Sequence, residues 1–304
     1  MFKRVLVTGG SGFVGKRLKL LKPDWVYMSS SDCNLMNKND IKNYLEKVKP
    51  DAIIHLAARV GGIKEASENQ SDFFYKNSLI NINVIHAAYE ANIKRVLSCL
   101  STCCFPSVNK TYPMSEEDLM VGEPEEINEC YSYAKRNLYI QSKWYTREYG
   151  VNYNTFTPSN IYGPENVFDL KKGHLISSMI RKFSEAEPGS ELTFWGTGKP
   201  LRQHIYVDDL ARIIVDLLEK HNTDHPIIVA PDENLSIKEI IDTCNRISGK
   251  DMQIKFNNYL DGQYRKDGSN RRLLDVIGAF EFTTLEQGLE KTYKWYQENK
   301  EKLK

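Results

Sequence analysis

The stretch VLVTGGSGFVG, residues 5–15, joins a short β-rich run to four closely spaced glycines, and the helical pattern SGFVGKRLKLL begins within it. Glycines at such a junction permit a tight turn and a close approach of the backbone to a pyrophosphate, while the helix N-terminus favours phosphate charge. A lone glycine pattern is weak, but its place between strand and helix predicts a dinucleotide loop. The expected cofactor contacts are Gly9, Gly10, Ser11, Gly12, Phe13, Val14 and Gly15.

Strand-like and helix-like runs alternate downstream of this loop. The β-rich runs DWVYMSS, DAIIHLAA and RVLSCLST are separated by the helical patterns KNDIKNYLEKVKP and NSLININVIHAAYEAN. Such alternation is typical of a parallel sheet with helices on both faces. We therefore predict an α/β fold of the Rossmann type, with a doubly wound parallel sheet and a smaller, irregular α/β substrate lobe.

The rhythm becomes irregular after VNYNTFTPSNIYGP, although HIYVDDLARIIVDLLEK and HPIIVA still read as a helix and a strand of the first sheet. The chain is thus expected to cross between two lobes more than once. We predict an NADP-binding domain from residues 1–160 plus about 203–230, and a nucleotide-sugar domain from residues 161–202 plus 231–304.

Composition restricts the classes of partner. The chain has 304 residues, of which 41% are hydrophobic, and its 41 basic and 40 acidic residues nearly cancel. This balance argues against nucleic acid and against an anionic membrane surface, and favours small molecules. No apolar run is long enough to span a bilayer, and the N-terminus enters a strand pattern directly, so a cytoplasmic location is expected. The six cysteines lack zinc-type spacing, which predicts reduced thiols and no metal site.

The end of the second strand bears on the choice of cofactor. An acid that binds the ribose of NAD normally follows the glycine loop by about 20 residues. Here MSSSD, residues 28–32, places three serines before Asp32. Hydroxyls tolerate a 2′-phosphate that a carboxylate at the strand tip would repel, and Arg17 could add positive charge. NADP(H) is therefore favoured over NAD, with Ser30 and Asp32 as further contacts.

The run YSYAKR, residues 131–136, places Tyr131 and Lys135 four apart, on one face of a helix that excludes Tyr133. An ammonium beside a phenol lowers the pKa of the phenol, which can then exchange a proton with a carbonyl or alcohol oxygen. Tyr-x-x-x-Lys alone is a common surface pattern. A glycine loop upstream and LSTCCFP, residues 100–106, make the catalytic interpretation the stronger one.

Together these motifs resemble those of the extended short-chain dehydrogenase/reductases and, within that superfamily, of the GDP-L-fucose synthases. The resemblance spans nearly the whole chain and rests on VTGGSGFVG, HLAARVGG, LSTCCFP, YSYAKR, PSNIYGPENVF, GHLISSMIRK, FWGTGKPLRQ and DGSNRRLLD. It implies an NADPH-dependent homodimer that epimerises C3 and C5 of GDP-4-keto-6-deoxymannose and then reduces the C4 keto group, forming GDP-L-fucose.

The resemblance also implies roles for individual residues. Ser101, Tyr131 and Lys135 match the catalytic triad of the family, and Cys103 and His174 match its epimerisation pair. Further cofactor contacts are implied for Ala57, Leu100, Ser101, Thr102, Tyr131, Lys135, Pro158, Ser159, Asn160, Ile161 and His174. Contacts with the GDP-sugar are implied for Lys182, Trp195, Arg202 and Asp267.

The two adjacent cysteines, Cys103 and Cys104, are expected to point to opposite sides of the chain. In an extended segment Ser101 and Cys103 would point the same way, toward the triad, and Cys104 the other way. A thiol beside a 4-keto sugar can remove an acidified proton at C3 or C5 while His174 reprotonates the opposite face. Cys104 is then expected to be a small buried apolar residue.

Two residues of the irregular lobe have competing interpretations. Trp195 would by default be a core aromatic and Arg202 a solvated charge. An exposed aromatic can instead stack on a purine, and an arginine fork can bind a diphosphate.

Three alternative functions remain open at this stage. One is reduction of a related GDP-4-keto-deoxysugar or GDP-4-keto-heptose, with or without epimerisation. Another is a nucleotide-sugar 4-epimerase or dehydratase that recycles NAD. The third is a catalytically silent dinucleotide sensor, which the intact Ser101, Tyr131 and Lys135 set disfavours.

Overall fold

Eleven strands and ten α-helices form the part of the chain that this computed structural model describes, residues 2–109, 111–170, 173–259 and 261–303. The strands are β1 Val5–Thr8, β2 Val26–Met28, β3 Ala52–His55, β4 Arg95–Cys99, β5 Asn152–Pro158, β6 Asn160–Tyr162, β7 Glu191–Phe194, β8 Leu201–Tyr206, β9 Ile227–Val229, β10 Asn234–Ser236 and β11 Gln253–Phe256. The helices are α1 Phe13–Leu21, α2 Lys38–Val48, α3 Ile63–Glu68, α4 Gln70–Glu90, α5 Glu129–Tyr149, α6 Leu175–Glu185, α7 Val207–Lys220, α8 Ile237–Ser248, α9 Arg271–Ile277 and α10 Leu285–Asn299.

The largest sheet has six strands in the order β2-β1-β3-β4-β5-β9, and every neighbouring pair is parallel. The order reverses at β1, so a crevice opens beyond the carboxyl ends of β1 and β3, where open α/β sheets bind ligands. The predicted α/β class and parallel sheet are confirmed. The run HPIIVA joins this sheet as β9, beside β5.

Side chains of each central strand alternate between two apolar cores, which explains why helices cover both faces. Leu6 of β1 packs with α2, α4 and α5, whereas Val7 packs with α1, α7 and α9. Helices α1 and α7, far apart in the sequence, therefore cover the same face of the sheet and lie against each other.

Two small sheets and the helices α6, α8 and α10 build a second part of the described chain. β8 lies between antiparallel β10 and parallel β6, and β11 pairs with β7 in parallel. A third apolar core, centred on Phe183, joins α6, α8 and α10. Within the described residues, no helix is long and apolar enough to cross a membrane.

Three buried histidines couple the stability of this fold to pH. Burial lowers the pKa of His55 and of His204 to about 3, and that of His221 to about 4, from an ordinary value of 6.5. As the pH falls below 6.5, the unfolded chain therefore binds protons before the folded chain does, and the free energy of unfolding decreases.

We expect each of these histidines to remove about 2 kcal/mol of stability between pH 7 and pH 5, since one pKa unit corresponds to 1.36 kcal/mol. Replacing the buried His221 in His221→Phe should make the fall in stability with acid less steep. Urea unfolding at several pH values measures this slope. Identical slopes for the wild type and the variant would contradict the prediction.

Candidate active site

The glycine loop between β1 and α1 is shaped by close backbone contacts. Gly9 has a φ of 71° in the left-handed region, which favours glycine. Gly10 donates its N–H to the Met28 carbonyl at 2.8 Å, and Gly12 donates to the Gly9 carbonyl at 2.9 Å. A Cβ at Gly15 would lie 2.6 Å from the Gly9 oxygen. This tight cradle at the N-terminus of α1 fits the diphosphate of a dinucleotide.

The tip of β2 is a small polar cluster. Ser29 donates from its amide and its hydroxyl to one oxygen of Asp32, at 2.8 and 2.6 Å, and its hydroxyl also contacts the Ser31 hydroxyl at 2.7 Å. These hydrogen bonds lower the pKa of Asp32. Arg17 faces elsewhere, because its guanidinium binds both oxygens of Asp208 at 2.6 and 2.9 Å. The suggestion that Arg17 supplies charge for a 2′-phosphate therefore loses support.

The turn that carries both cysteines differs from the expected extended segment. Residues Thr102–Cys104 form a 3-10 turn, and Ser101 is extended and accepts a hydrogen bond from the Cys103 amide at 3.2 Å. Thr102 and Cys104 are buried, while Ser101 and Cys103 remain partly exposed. Cys104 is fully buried, as predicted. The expected extended conformation is wrong, yet the side chains of Ser101 and Cys103 both stay partly accessible.

Helix α5 holds this turn through three side chains that donate to backbone carbonyls. Ser132 Oγ donates to Cys103 at 2.7 Å, Lys135 Nζ to Cys99 at 2.8 Å and Arg136 Nε to Cys104 at 2.8 Å. The Lys135 ammonium also lies 5.9 Å from the centre of the Tyr131 ring. Ser101, Cys103, Tyr131 and Lys135 are thus brought together at one place.

The electrostatics of this cluster differ from the sequence-based expectation. Burial raises the pKa of the Tyr131 phenol well above its ordinary value, and the charges of nearby cysteines act in the same direction. The nearby Ser101 hydroxyl opposes this rise of the pKa. Burial lowers the pKa of Lys135. Tyr131 is therefore a neutral phenol at working pH, which suits a proton donor.

A buried polar chain that sequence reasoning missed links the glycine-loop strand to α5. Thr8 Oγ1 lies 2.7 Å from His55 Nδ1, and His55 Nε2 lies 3.1 Å from Asn81 Oδ1. Asn81 then donates to the Ala134 carbonyl, beside Lys135, at 3.1 Å. The only signal in the sequence was the position of His55 and Asn81 inside otherwise apolar runs.

Most of the other predicted cofactor residues lie at the carboxyl edge of the large sheet. Ala57 follows β3 and donates to Thr8 Oγ1 at 3.2 Å, and Leu100 follows β4 and donates to the Phe156 carbonyl at 2.7 Å. Pro158 ends β5, Ser159 donates to the Val229 carbonyl at 2.9 Å, and Asn160 and Ile161 begin β6. This is the edge at which dinucleotides bind in such folds.

His174 lies outside the cluster around Tyr131. It immediately precedes α6, and burial lowers the pKa of its imidazole, although the residue as a whole is exposed. Its charge and that of Arg202 reinforce the lowering of the pKa of His204, which places these three groups near one another. Among the described residues, no hydrogen bond or ion pair links His174 to Cys103.

The predicted sugar-nucleotide residues lie in the smaller lobe. Trp195 is 76% exposed, which excludes the core interpretation, and its ring centre lies 5.7 Å from that of Tyr259. Burial lowers the pKa of Arg202, so it is no solvated surface charge. Lys182 lies 5.0 Å from the centre of the Phe194 ring.

Asp267, the fourth of these residues, is almost fully buried and forms a two-pronged ion pair with Arg265, at 2.5 and 2.9 Å.

Comparison with known proteins assigns the family. The profile of the NAD dependent epimerase/dehydratase family matches residues 5–230. The chain is 39% identical to a GDP-L-fucose synthase of Dictyostelium discoideum, over 98% of this chain and 97% of the relative. It is 29% identical to that of Escherichia coli strain K12, over 99% of each chain.

Among solved structures, it is similar to a GDP-L-fucose synthetase of Naegleria fowleri bound to NADP. The TM-score is 0.91 and the identity 32%, over 98% of this chain and 94% of that one. The chain belongs to the NAD dependent epimerase/dehydratase family and to the GDP-L-fucose synthases.

Proposed function

We propose that this chain converts GDP-4-keto-6-deoxymannose to GDP-L-fucose, as an NADPH-dependent 3,5-epimerase and 4-reductase. The observation that carries the proposal is the placement of Ser101, Cys103 and Tyr131 together by the hydrogen bonds of α5. Tyr131, which can donate a proton to a carbonyl oxygen, and Cys103, which can remove a proton from carbon, are thus adjacent. The family relatives named above support the choice of substrate.

NADPH fits the residues at the carboxyl edge of the sheet. The glycine loop would allow the diphosphate to approach the N-terminus of α1, and Ser30 and Asp32 would lie toward the adenosine ribose. When bound, the cofactor supplies the hydride that reduces C4. The Ser159 hydroxyl at this edge is buried and has no hydrogen-bond partner among the described residues, as is common for a group that a ligand or a water satisfies.

Reduction requires a proton on O4. Tyr131 is neutral because burial raises the pKa of its phenol, so it can donate that proton as charge develops on the oxygen. Ser101 lies close enough to this phenol to oppose the rise of its pKa, and its hydroxyl can orient the C4 carbonyl toward the phenol. Lys135 would attract the resulting phenolate, and its ammonium is fixed in place by the Cys99 carbonyl.

Epimerisation requires a base and an acid on opposite faces of the sugar ring. The protons at C3 and C5 are acidified by the neighbouring keto group. We assign their removal to the Cys103 sulfur and the return of a proton to His174, which approaches from the smaller lobe. Inversion then proceeds through an enolate of the sugar, and requires no hydride.

The smaller lobe would bind the GDP portion of the substrate. Trp195 presents an exposed aromatic face on which a purine can stack, and Arg202 offers a planar fork for the diphosphate. Lys182 would add a second positive charge. Asp267 is already paired with Arg265, so we assign to it a hydrogen bond with the substrate and no free charge.

Domain bounds, oligomeric state and cellular location are also part of the proposal. We propose that residues 1–160 and 203–230 form the cofactor domain, and 161–202 and 231–304 the sugar domain. Large apolar side chains stay exposed on α4 and α5, among them Tyr75, Ile82, Trp144 and Tyr149, which supports a homodimer through these helices. Six free cysteines support a reducing, cytoplasmic location.

The decisive experiment is product analysis by NMR after incubation with GDP-4-keto-6-deoxymannose and NADPH. We expect GDP-L-fucose, with one NADPH consumed per sugar. A reduced sugar that keeps the original configuration at C3 and C5 would limit the enzyme to a 4-reductase. A 4-epimer formed without NADPH consumption would overturn the proposal.

The Tyr131→Phe variant should lose most of the reduction while it retains NADPH binding, because O4 loses its proton donor. Removal of a general acid commonly costs about 10²–10⁴-fold in rate. The matched control is Tyr133→Phe, whose ring packs against the Arg136 guanidinium at 5.5 Å and should leave turnover close to wild type. NADPH oxidation with the keto sugar measures both, and near-normal turnover of Tyr131→Phe would refute the role.

The Cys103→Ser variant should strongly slow exchange of deuterium from D₂O into C3 and C5, measured by NMR without NADPH. A hydroxyl is a far weaker base than a thiol, and loss of a general base commonly costs about 10²–10⁴-fold. Cys104→Ser is the control and should retain exchange, with lower stability from its buried hydroxyl. His174→Asn should reduce net inversion more than exchange. A wild-type enzyme that reduces C4 without incorporating deuterium would contradict the epimerase assignment.

A further inference from the structure

Cys103 has a cationic neighbour that comes from a distant part of the sequence. The Lys266 ammonium lies 3.8 Å from the Cys103 Sγ, as a hydrogen-bond donor to the sulfur. Lys266 is half-buried, so solvent screens its charge less than it would on an open surface. Of the nearby ionisable groups, Cys104 and Tyr131 stay neutral at pH 7, since burial raises the pKa of Cys104 to about 12 and raises that of Tyr131 well above its ordinary value.

The backbone around Lys266 is fixed in place. The Met114 amide donates to the Asp267 carbonyl, and the Ser269 amide donates to the Met114 carbonyl, both at 2.8 Å. The Gln203 side chain accepts from the Gly268 amide at 2.8 Å and donates to the Gly268 carbonyl at 3.1 Å. Lys266 therefore extends from a segment whose backbone is held by Met114 and Gln203, two residues distant from it in the sequence.

The charges on either side of Lys266 neutralise each other. Arg265 and Asp267 form a two-pronged ion pair, so the net charge of residues 265–267 is that of Lys266. Gly268 itself is closely packed, because a Cβ at this position would lie 2.7 Å from the Ile228 Cγ2 atom. The segment thus presents one positive charge to the thiol, in a geometry that the packing holds.

We propose that Lys266 is a positioning residue for the epimerisation, and that its ammonium holds Cys103 as the thiolate. A thiolate is the form of cysteine that acts as a base or nucleophile, and a cation next to the sulfur stabilises it. The catalytic part of this inference rests on the proposed function, whereas the ionisation of the thiol does not.

The epimerisation involves only Cys103, His174, the sugar and water. The Cys103 thiolate takes a proton from C3 or C5, so a C–H bond breaks while an S–H bond forms. The electron pair of that bond moves to the keto oxygen, which gives an enolate. The imidazolium form of His174 donates its proton to the opposite face, which restores the ketone with inverted carbon and leaves a neutral imidazole. The thiol then loses its proton to water and His174 regains one, while Lys266 stays protonated throughout.

The test measures alkylation of Cys103 by iodoacetamide in the full chain without substrate, followed by mass spectrometry between pH 6 and pH 10. In Lys266→Met the rate at pH 7 should fall about tenfold, since an opposite charge at this range commonly shifts ionisation by one unit or more. Near pH 10 the two rates should converge. Lys266→Arg, which keeps the charge, should restore most of the rate at pH 7.

Matched controls separate this effect from general disturbance. Lys255→Met removes an exposed lysine of the same lobe and should leave the alkylation rate unchanged. Cys103→Ser identifies the signal of this cysteine, and NADPH binding verifies that each variant is folded. Equal alkylation profiles for the wild type and Lys266→Met would overturn the proposal, as would a change confined to the KM for the sugar.

Deuterium exchange into GDP-4-keto-6-deoxymannose gives the catalytic readout. In Lys266→Met, exchange at pH 7 should slow by a factor similar to that of alkylation, and it should recover at higher pH. If the wild type alkylates in a Lys266-dependent manner but exchanges no deuterium, the epimerase function fails and the assignment of the thiolate stands. If exchange is normal and independent of Lys266, the proposal fails and the function stands.

Discussion

The geometry of the candidate site depends on hydrogen bonds from one helix to the backbone of one turn. Ser132, Lys135 and Arg136 share a face of α5, since residues three and four apart are neighbours on a helix. They donate to carbonyls at the end of β4 and in the turn that follows, those of Cys99, Cys103 and Cys104. Each bond contributes about 1 kcal/mol, and more is lost when a buried partner stays unpaired. The position of Tyr131 relative to the turn is therefore set by backbone anchoring.

The same helix is tied to the cofactor loop through the protein interior. Thr8, His55, Asn81 and the Ala134 carbonyl form a continuous polar chain from β1 across β3 and α4 to α5. Burying a polar group costs free energy unless the group forms a hydrogen bond. These hydrogen bonds therefore favour one placement of β1, β3, α4 and α5 relative to each other. The strand before the predicted cofactor loop and the helix that carries the residues proposed to transfer protons are thus connected through buried hydrogen bonds.

The sequence predicted those features that depend on local patterns. The alternation of runs and the glycine loop predicted the parallel sheet, and the motifs around Tyr131 predicted the family, both of which are confirmed. Features that depend on tertiary contacts escaped it. Burial raises the pKa of Tyr131. Arg17 forms an ion pair with Asp208, which lies 191 residues away along the chain. The roles of the site residues and the domain bounds stay predictions.

The segment that carries Lys266 has a consequence for how such an enzyme can diverge. Within three consecutive residues it carries Asp267, assigned to the sugar, and Lys266, beside the sulfur of Cys103. Gly268 and Gln203 fix both through the same backbone. An insertion, or a substitution that moves this backbone, would alter substrate recognition and base strength together. A change at this segment that is selected for a new sugar would therefore also alter proton removal by Cys103. Sugar specificity and epimerase activity are expected to change together among descendants of this chain.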